Sequence, residues 1–288
     1  MYSGQFDYYR AKSVEEAGTL LKQHPGAKLL AGGHTLIPLM KLRLATPPAV
    51  IDIGRIGELK GIESKGGVVR IGSLTTHAEL AASAVLREQC PALAEAAGHV
   101  GDPAVRNRGT IGGNVAHADP ASDLPTVLAA FGARFVVTSG RGQRTIAVDQ
   151  FFTGLMATAL GEGDLLTAIE VPAQAAGQVS AYVKFEHPAS RYAVIGVAAV
   201  LGVSGGKCTS AAVAVGGLVP RSTRAPAVER KLNGQAVSDE TITAAAAEVA
   251  ADLTGDIIGD LYASAEYRKA VAPVWVKKAL AAAAARVR

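Results

Sequence analysis

The sequence predicts an α+β fold in two domains, and three observations carry that prediction. Helix-period and strand-period stretches are interspersed up to about residue 172. A bland Ala/Gln/Gly link follows at residues 173–177. Beyond it, apolar or alternating strands come first and Ala-rich helices come after, an order that argues α+β. With 288 residues, 49% of them hydrophobic, the chain is long enough for one large domain or two smaller ones, each with a real core. The link sets domains at 1–175 and 178–288, the first divided into subdomains at about 1–55 and 56–175.

Each element follows from local chemistry. Ser13 and Glu16 form a capping box that opens a helix to about residue 24, where Pro25-Gly26 stops it. Residues 27–31 read as a short apolar strand ending at Gly32-Gly33. Residues 50–53 and 68–71 read as strands. Thr76 and Glu79 form a second capping box, for a helix to about residue 86. Residues 91–98 begin with Pro at the first helical position. Residues 101–123 are dense in Gly, Asp, Asn and Pro and show neither period, and so long an irregular stretch in a compact domain usually carries function. A helix at 124–130 and strands at 134–138 and 165–171 complete the first domain. The second should hold strands at 182–186, 194–203 and 211–216, then helices at 239–253 and 263–287.

Composition narrows the function classes. A charged fraction of 19% excludes a disordered chain, and the 32 glycines follow no collagen period. The formal charge is only +4 and the cations form no stripe, so no nucleic-acid partner is expected. Two distant cysteines, Cys90 and Cys208, can build neither a zinc site nor an iron–sulfur cluster, and they fit a reducing compartment. The N-terminus has no apolar signal region. The longest apolar run, residues 193–203, falls short of the roughly 20 residues of a membrane span.

Two motifs carry chemistry. AGGHTLIPLMKLRL, residues 31–44, follows a predicted strand directly. Its glycine pair lets successive N–H groups face one concavity, a nest that can hold phosphate without a lysine; His34 and Thr35 add side-chain donors. GTIGGNVAHADPASDLP, residues 109–125, repeats the theme. It offers the Thr110 hydroxyl, Ile111 as an apolar face for a ring, the amides of Gly112 and Gly113, the Asn114 amide, and carboxylates at Asp119 and Asp123 that can accept from ribose hydroxyls. Either pair alone could be a plain turn, and Asp123 could simply cap the next helix. Together, about 80 residues apart, they suit a dinucleotide held from both sides. Neither is a Rossmann fingerprint or a P-loop.

The two motifs together resemble the flavin loops of the FAD-binding medium subunits in the carbon monoxide dehydrogenase and xanthine dehydrogenase family. The resemblance extends to FDYYRAKSVEEA, GSLTTHAEL, HPASRYAVIGVAA and YRKAVAPVWVKKAL, hence over essentially the whole chain. It implies a two-subdomain FAD-binding domain of the PCMH type followed by a smaller α+β C-terminal domain. By the same resemblance, Ala31, Gly32, Gly33, His34, Thr35 and Leu36 bind the FAD diphosphate, largely through backbone amides. Thr110, Ile111, Gly112, Gly113 and Asn114 cover its other side and approach the ring. Asp119 falls near the ribose–adenine end, Asp123 near the diphosphate, and Tyr192 beside the ring. Many relatives carry Asp where this chain has Arg191, a positive charge that bears on the acceptor. His77, His99, His117 and His187 have no metal spacing and read as cap, loop or core residues.

The implied function is electron transfer within a molybdenum hydroxylase. A large subunit with the molybdenum cofactor oxidises substrate, a small subunit with 2Fe–2S clusters relays electrons, and this chain's FAD passes them to an external acceptor. The implied assembly is a dimer of heterotrimers in the cytoplasm, with association to the membrane through the complex left open. A self-contained FAD-dependent oxidoreductase would need its own acid or base, for which the sequence offers no clear residue. A flavin-free scaffold is the other alternative.

Overall fold

The computed structural model describes residues 2–287. Its N-terminal part is a three-stranded parallel sheet of β1 (Asp7–Arg10), β2 (Lys28–Leu30) and β3 (Ala49–Asp52), in the order β1-β3-β2. Parallel neighbours need crossovers. Helix α1 (Val14–Gln23) lies on the path from β1 to β2, and a short helix, α2 (Leu36–Lys41), on the path from β2 to β3. Ser13 caps α1 by accepting from the Glu16 N–H, but the Glu16 carboxylate takes the Lys12 N–H, so the expected box closes one residue early. The first glycine pair sits between the carboxyl end of β2 and α2.

The middle part is an antiparallel sheet ordered β4-β5-β10-β6-β7. Here β4 is Ile62–Lys65, β5 Val68–Gly72, β6 Arg134–Ser139 and β7 Gly142–Ala147. A short helix, α9 (Val148–Phe151), and a two-stranded hairpin, β8 (Phe152–Gly154) and β9 (Ala157–Thr158), precede β10 (Leu165–Pro172). The helix expected after Thr76 is two, α3 (His77–Ala82) and α4 (Ala84–Gln89). Ser83 leaves helical geometry between them and caps the second. Then come α5 (Pro91–His99), α6 (Pro103–Arg106), α7 (Ile111–His117) and α8 (Asp123–Phe131). Thus residues 101–123, expected to be irregular, hold two short helices. The glycines that hide α7 from a propensity reading lie in its first turn, where Thr110 caps it.

The C-terminal part is a meander of β11 (Gln178–Glu186), β12 (Ala193–Ser204), β13 (Lys207–Gly216) and β14 (Thr223–Arg224). On one face, Tyr182, Ala198, Val200 and Ala214 share an apolar cluster with α5 and α8. On the other, Val197, Ala199, Leu201 and Val213 pack under α10 (Pro226–Leu232), α11 (Asp239–Ala247), α12 (Val249–Asp252) and α13 (Ala265–Ala284). Covered on both faces, β12 is an almost continuous apolar run instead of an alternating one. Each large side chain buried there contributes roughly 1.5–3 kcal/mol. Helices α11 and α12, expected as one, are separated at Glu248. Arg268, buried at the start of α13, donates to the carbonyls of Val194 (3.1 Å) and Gly217 (2.7 Å). Both cysteines are buried and free. Among the described residues no His/Cys/Asp/Glu group is arranged to hold a metal, and no helix is long and apolar enough to cross a membrane.

Candidate functional site

The first glycine segment is held open by backbone geometry. Gly33 adopts φ +76°, a conformation L side chains rarely take. Ile37 N–H bonds back to the Gly33 carbonyl and Leu39 N–H to that of Thr35, which closes the entry into α2. Among the described residues, no protein acceptor takes the amide hydrogens of Gly32, Gly33, His34, Thr35 or Leu36. The Thr35 hydroxyl caps nothing, and His34 is exposed. Five successive free amides and a free hydroxyl are a donor set for a ligand that only accepts, and a diphosphate is such a ligand.

The second segment is built differently, although its sequence looks alike. Ile111 N–H donates to the Thr75 carbonyl (3.0 Å), Gly112 N–H to that of Ser73 (2.8 Å), and Asn114 N–H to that of Thr110 (3.0 Å). Gly113 N–H goes to the Thr110 hydroxyl (3.1 Å). The amides of Ile111, Gly112, Gly113 and Asn114 are therefore spent inside the protein, and of residues 110–114 only the Thr110 N–H has no protein acceptor among the described residues, so these four amides do not form the expected nest. Gly112 is glycine because a Cβ there would sit 2.5 Å from the Ser73 Cβ and 2.7 Å from its carbonyl oxygen. Ile111, expected to offer an apolar face to a ring, is wholly buried in the core. Asn114 donates from Nδ2 to Ser122 (3.1 Å), and its Oδ1 is buried without a partner. Only Gly113 is exposed.

The two segments meet. A side chain on Gly32 would run into the Arg108 carbonyl, with the Gly109 Cα 2.9 Å away. Gly32 thus lies against the turn that leads into α7. At the other end of α7, roughly 10 Å along a seven-residue helix, Ala118 turns left-handed with φ 53°. The loop beyond is pinned to the third sheet: Ala193 N–H bonds to the Ala121 carbonyl (3.1 Å) and Gly217 N–H to that of Pro120 (2.8 Å). Asp119 accepts from Ala121 N–H at 2.9 Å and keeps some exposure. Tyr192 is 43% exposed beside it; its phenol is pushed up by burial, then by the charges of Asp119 and Asp123.

Asp123 is not a helix cap and not a free carboxylate. It is the first residue of α8, and its side chain is buried between Tyr182 Oη, which donates at 2.6 Å, and Lys184 Nζ at 3.0 Å. Lys184 is itself only 1% exposed at its side chain and also donates to the His99 carbonyl. Burial pushes the Asp123 acid up, while the adjacent ammonium and phenol oppose that push. With two donors on its two oxygens, we read the group as an ion pair. Lys184 escaped the sequence reading. Its signal was strand alternation, which puts Tyr182 and Lys184 on one face of β11, opposite the apolar face of Val179, Ala181, Val183 and Phe185.

Arg191 sits at the β11–β12 turn with φ 60° and pairs with Glu186 at 2.9 Å, both side chains well exposed. His187 stabilises the same turn: its Nδ1 accepts from the N–H groups of Ala189 and Ser190 (both 3.2 Å). His77 is a core residue, 3% exposed, held near pKa 4 by burial, then by Arg106 and His34.

Residues 4–174 match the family described as FAD binding domain in molybdopterin dehydrogenase, and residues 180–283 match the CO dehydrogenase flavoprotein C-terminal domain. The carbon monoxide dehydrogenase medium chain of Hydrogenophaga pseudoflava is 42% identical, covering 99% of each chain. The nicotine 6-hydroxylase medium subunit of Paenarthrobacter nicotinovorans is 36% identical over 97% of each. Among solved structures, a chain of the H. pseudoflava carbon monoxide dehydrogenase lacking the Mo-pyranopterin moiety superposes with a TM-score of 0.95 at 43% identity, covering 100% of both chains.

Proposed function

This chain belongs to the FAD-binding medium subunits of molybdenum hydroxylases, oxidoreductase components akin to the carbon monoxide dehydrogenase medium chain, and from that premise we propose that it is the electron-transfer subunit of such a complex. In this reading it takes electrons from an iron–sulfur subunit and delivers them to an external acceptor, while a molybdenum-cofactor subunit oxidises the substrate. The partners form a heterotrimer with it, two of which pair, and the chain divides into an FAD domain at 1–175 and a C-terminal domain at 178–288. Bound FAD supplies the redox chemistry, since it exchanges both single electrons and pairs.

The observation that carries the reading is the row of five amides without protein acceptors at residues 32–36. They hold the diphosphate, with Thr35 and His34 alongside and Ala31 just beyond the end of β2. Thr110, Ile111, Gly112, Gly113 and Asn114 serve the site by shape: α7 is anchored from below, so the exposed Gly113 presents bare backbone to the cofactor. Asp119 and Tyr192, at the far end of α7, meet the parts of FAD beyond the diphosphate. Asp123, through Tyr182 and Lys184, keeps the third sheet locked against that end. No step of substrate chemistry is assigned to these residues. The buried Asp123–Lys184 pair is sealed from substrate, which disfavours the self-contained oxidoreductase.

The test uses the full chain. We expect an oxidised-flavin spectrum, one FAD released per chain on denaturation, and no oxidation of molybdenum-hydroxylase substrates until the partner subunits are added. Robust substrate oxidation by the chain alone would overturn the reading.

A further inference from the structure

Between the two glycine segments lies a stack of close contacts that neither segment's own residues explain. At the top, the Gly32 Cα faces the Arg108–Gly109 peptide so closely that a Cβ on Gly32 would fall 2.9 Å from both the Arg108 carbonyl carbon and the Gly109 Cα. At the bottom, a Cβ on Gly109 would fall 2.8 Å from His77 Cδ2 and 3.0 Å from its Nε2. The peptide is also fixed lengthwise: Gly109 N–H donates to the Val105 carbonyl (2.7 Å), and His77 N–H donates to the Gly109 carbonyl (3.0 Å). His77 cannot move away. It begins α3 behind the complete Thr76–Glu79 capping box, and its ring is buried with Nδ1 unpartnered.

A well-packed interior transmits displacement, because it has no slack to absorb it. The height of the His77 ring therefore sets the height of the Arg108–Gly109 peptide, and that peptide sets where Gly32 and the following free amides lie. We propose that His77 and Gly109 are positioning residues for the FAD diphosphate: the His77 ring supports the Gly109 peptide, which holds the amide row of residues 32–36 in register with α7. The role is one of shape. The unpartnered Nδ1 makes no bond that an apolar side chain of similar bulk would lose. This inference rests on the diphosphate reading of residues 32–36 and adds to it the source of their placement.

The experiment is FAD titration of the full-length apoprotein, with far-UV circular dichroism and thermal unfolding as controls for the fold. Gly109→Ala should weaken FAD binding about tenfold or more and blur the resolved shoulders of the bound-flavin spectrum. The double variant Gly109→Ala/His77→Ala, which removes the obstructing ring, should return affinity to within about threefold of the native chain. His77→Leu should keep native affinity. Unchanged affinity in Gly109→Ala overturns the proposal, and so does a double variant that binds no better than the single one. If Gly109→Ala does not fold, His77→Ala alone, which adds no atom, should weaken binding, and unchanged affinity there overturns the proposal equally. Gly33→Val separates the two levels. If it retains FAD, the diphosphate reading itself fails; if it loses FAD while Gly109→Ala does not, only the positioning role fails.

Discussion

Two stretches of this chain carry the same signature, a hydroxyl or imidazole beside Gly-Gly, and the fold uses them in opposite ways. In residues 32–36 the glycines free the backbone: among the described residues, none of the five N–H groups has a protein acceptor. In residues 111–114 the glycines free space: each N–H is bonded inside, and Gly112 exists so that α7 can press against Ser73. A Gly-Gly pair can therefore leave its donors free or spend them, and close packing accompanies both, at Gly32 as at Gly112. What separates them is whether a neighbouring acceptor takes the amides. β5 continues into Ser73 and Thr75, whose carbonyls take the amides of Gly112 and Ile111, whereas the Arg108 carbonyl packed against Gly32 takes none of the amides of residues 32–36.

The contrast can be broken by substitution, most severely at the end of the second segment. Asp123→Ala would leave the Lys184 ammonium buried and unpaired, at a cost of about 3–5 kcal/mol. Urea unfolding should show it, and Asp123→Ala/Lys184→Met should recover most of the loss. A single variant of native stability would mean that the segment is not structural at this point.

The same substitution in both glycine pairs sharpens the comparison. Gly112→Val meets the Ser73 backbone and should destabilise the fold by about 3 kcal/mol, since overpacking against backbone has no cheap relief. Gly33→Val faces the flexible end of Ile37, and its main cost is the positive φ, on the order of 1–2 kcal/mol. That strain should flip the loop. We expect FAD to be lost while circular dichroism of the apoprotein stays near native. Identical phenotypes for the two variants would erase the distinction.

His77 gives the joint between the segments a pH signature. Its folded pKa, about 4, lies below the unfolded value of 6.5. The unfolded chain then binds the extra proton in that window, so stability rises with pH: the contribution is complete above about 6.5 and is lost as pH falls toward 4. The full depression corresponds to roughly 3 kcal/mol. His77→Leu should flatten this part of the stability–pH curve, and an unaltered slope would relocate the effect to another group.

The smallest effect is expected at Arg191. Its exposed pair with Glu186 is worth about 1 kcal/mol or less. Arg191→Asp should barely change stability and should lower the flavin midpoint potential only slightly, because Glu186 already offsets the guanidinium. A large drop in potentiometric titration would place this turn in direct contact with the ring.

Much was legible in the sequence because it depends on short-range physics. The helices opened by Ser13 and Thr76, the Pro91 start, the apolar strands near residues 68, 134, 165 and 194, and the first glycine segment follow from capping, φ restriction and periodicity, which act within a few residues. The sequence alone also marked the pair of motifs and, through them, the family. It could not reveal α7, because two glycines in a first turn look like a loop until Ser73 and Thr75 arrive to accept the amides of Gly112 and Ile111. Nor could it distinguish a free Asp123 from one locked between Tyr182 and Lys184, 59 and 61 residues away. Whether a donor is free or spent, and whether a carboxylate faces solvent or a buried ammonium, is decided by which distant groups the packed fold brings within 3 Å. The sequence by itself determined which groups this protein possesses. Only the tertiary structure decided which of them remain unpaired, and hence available to a ligand.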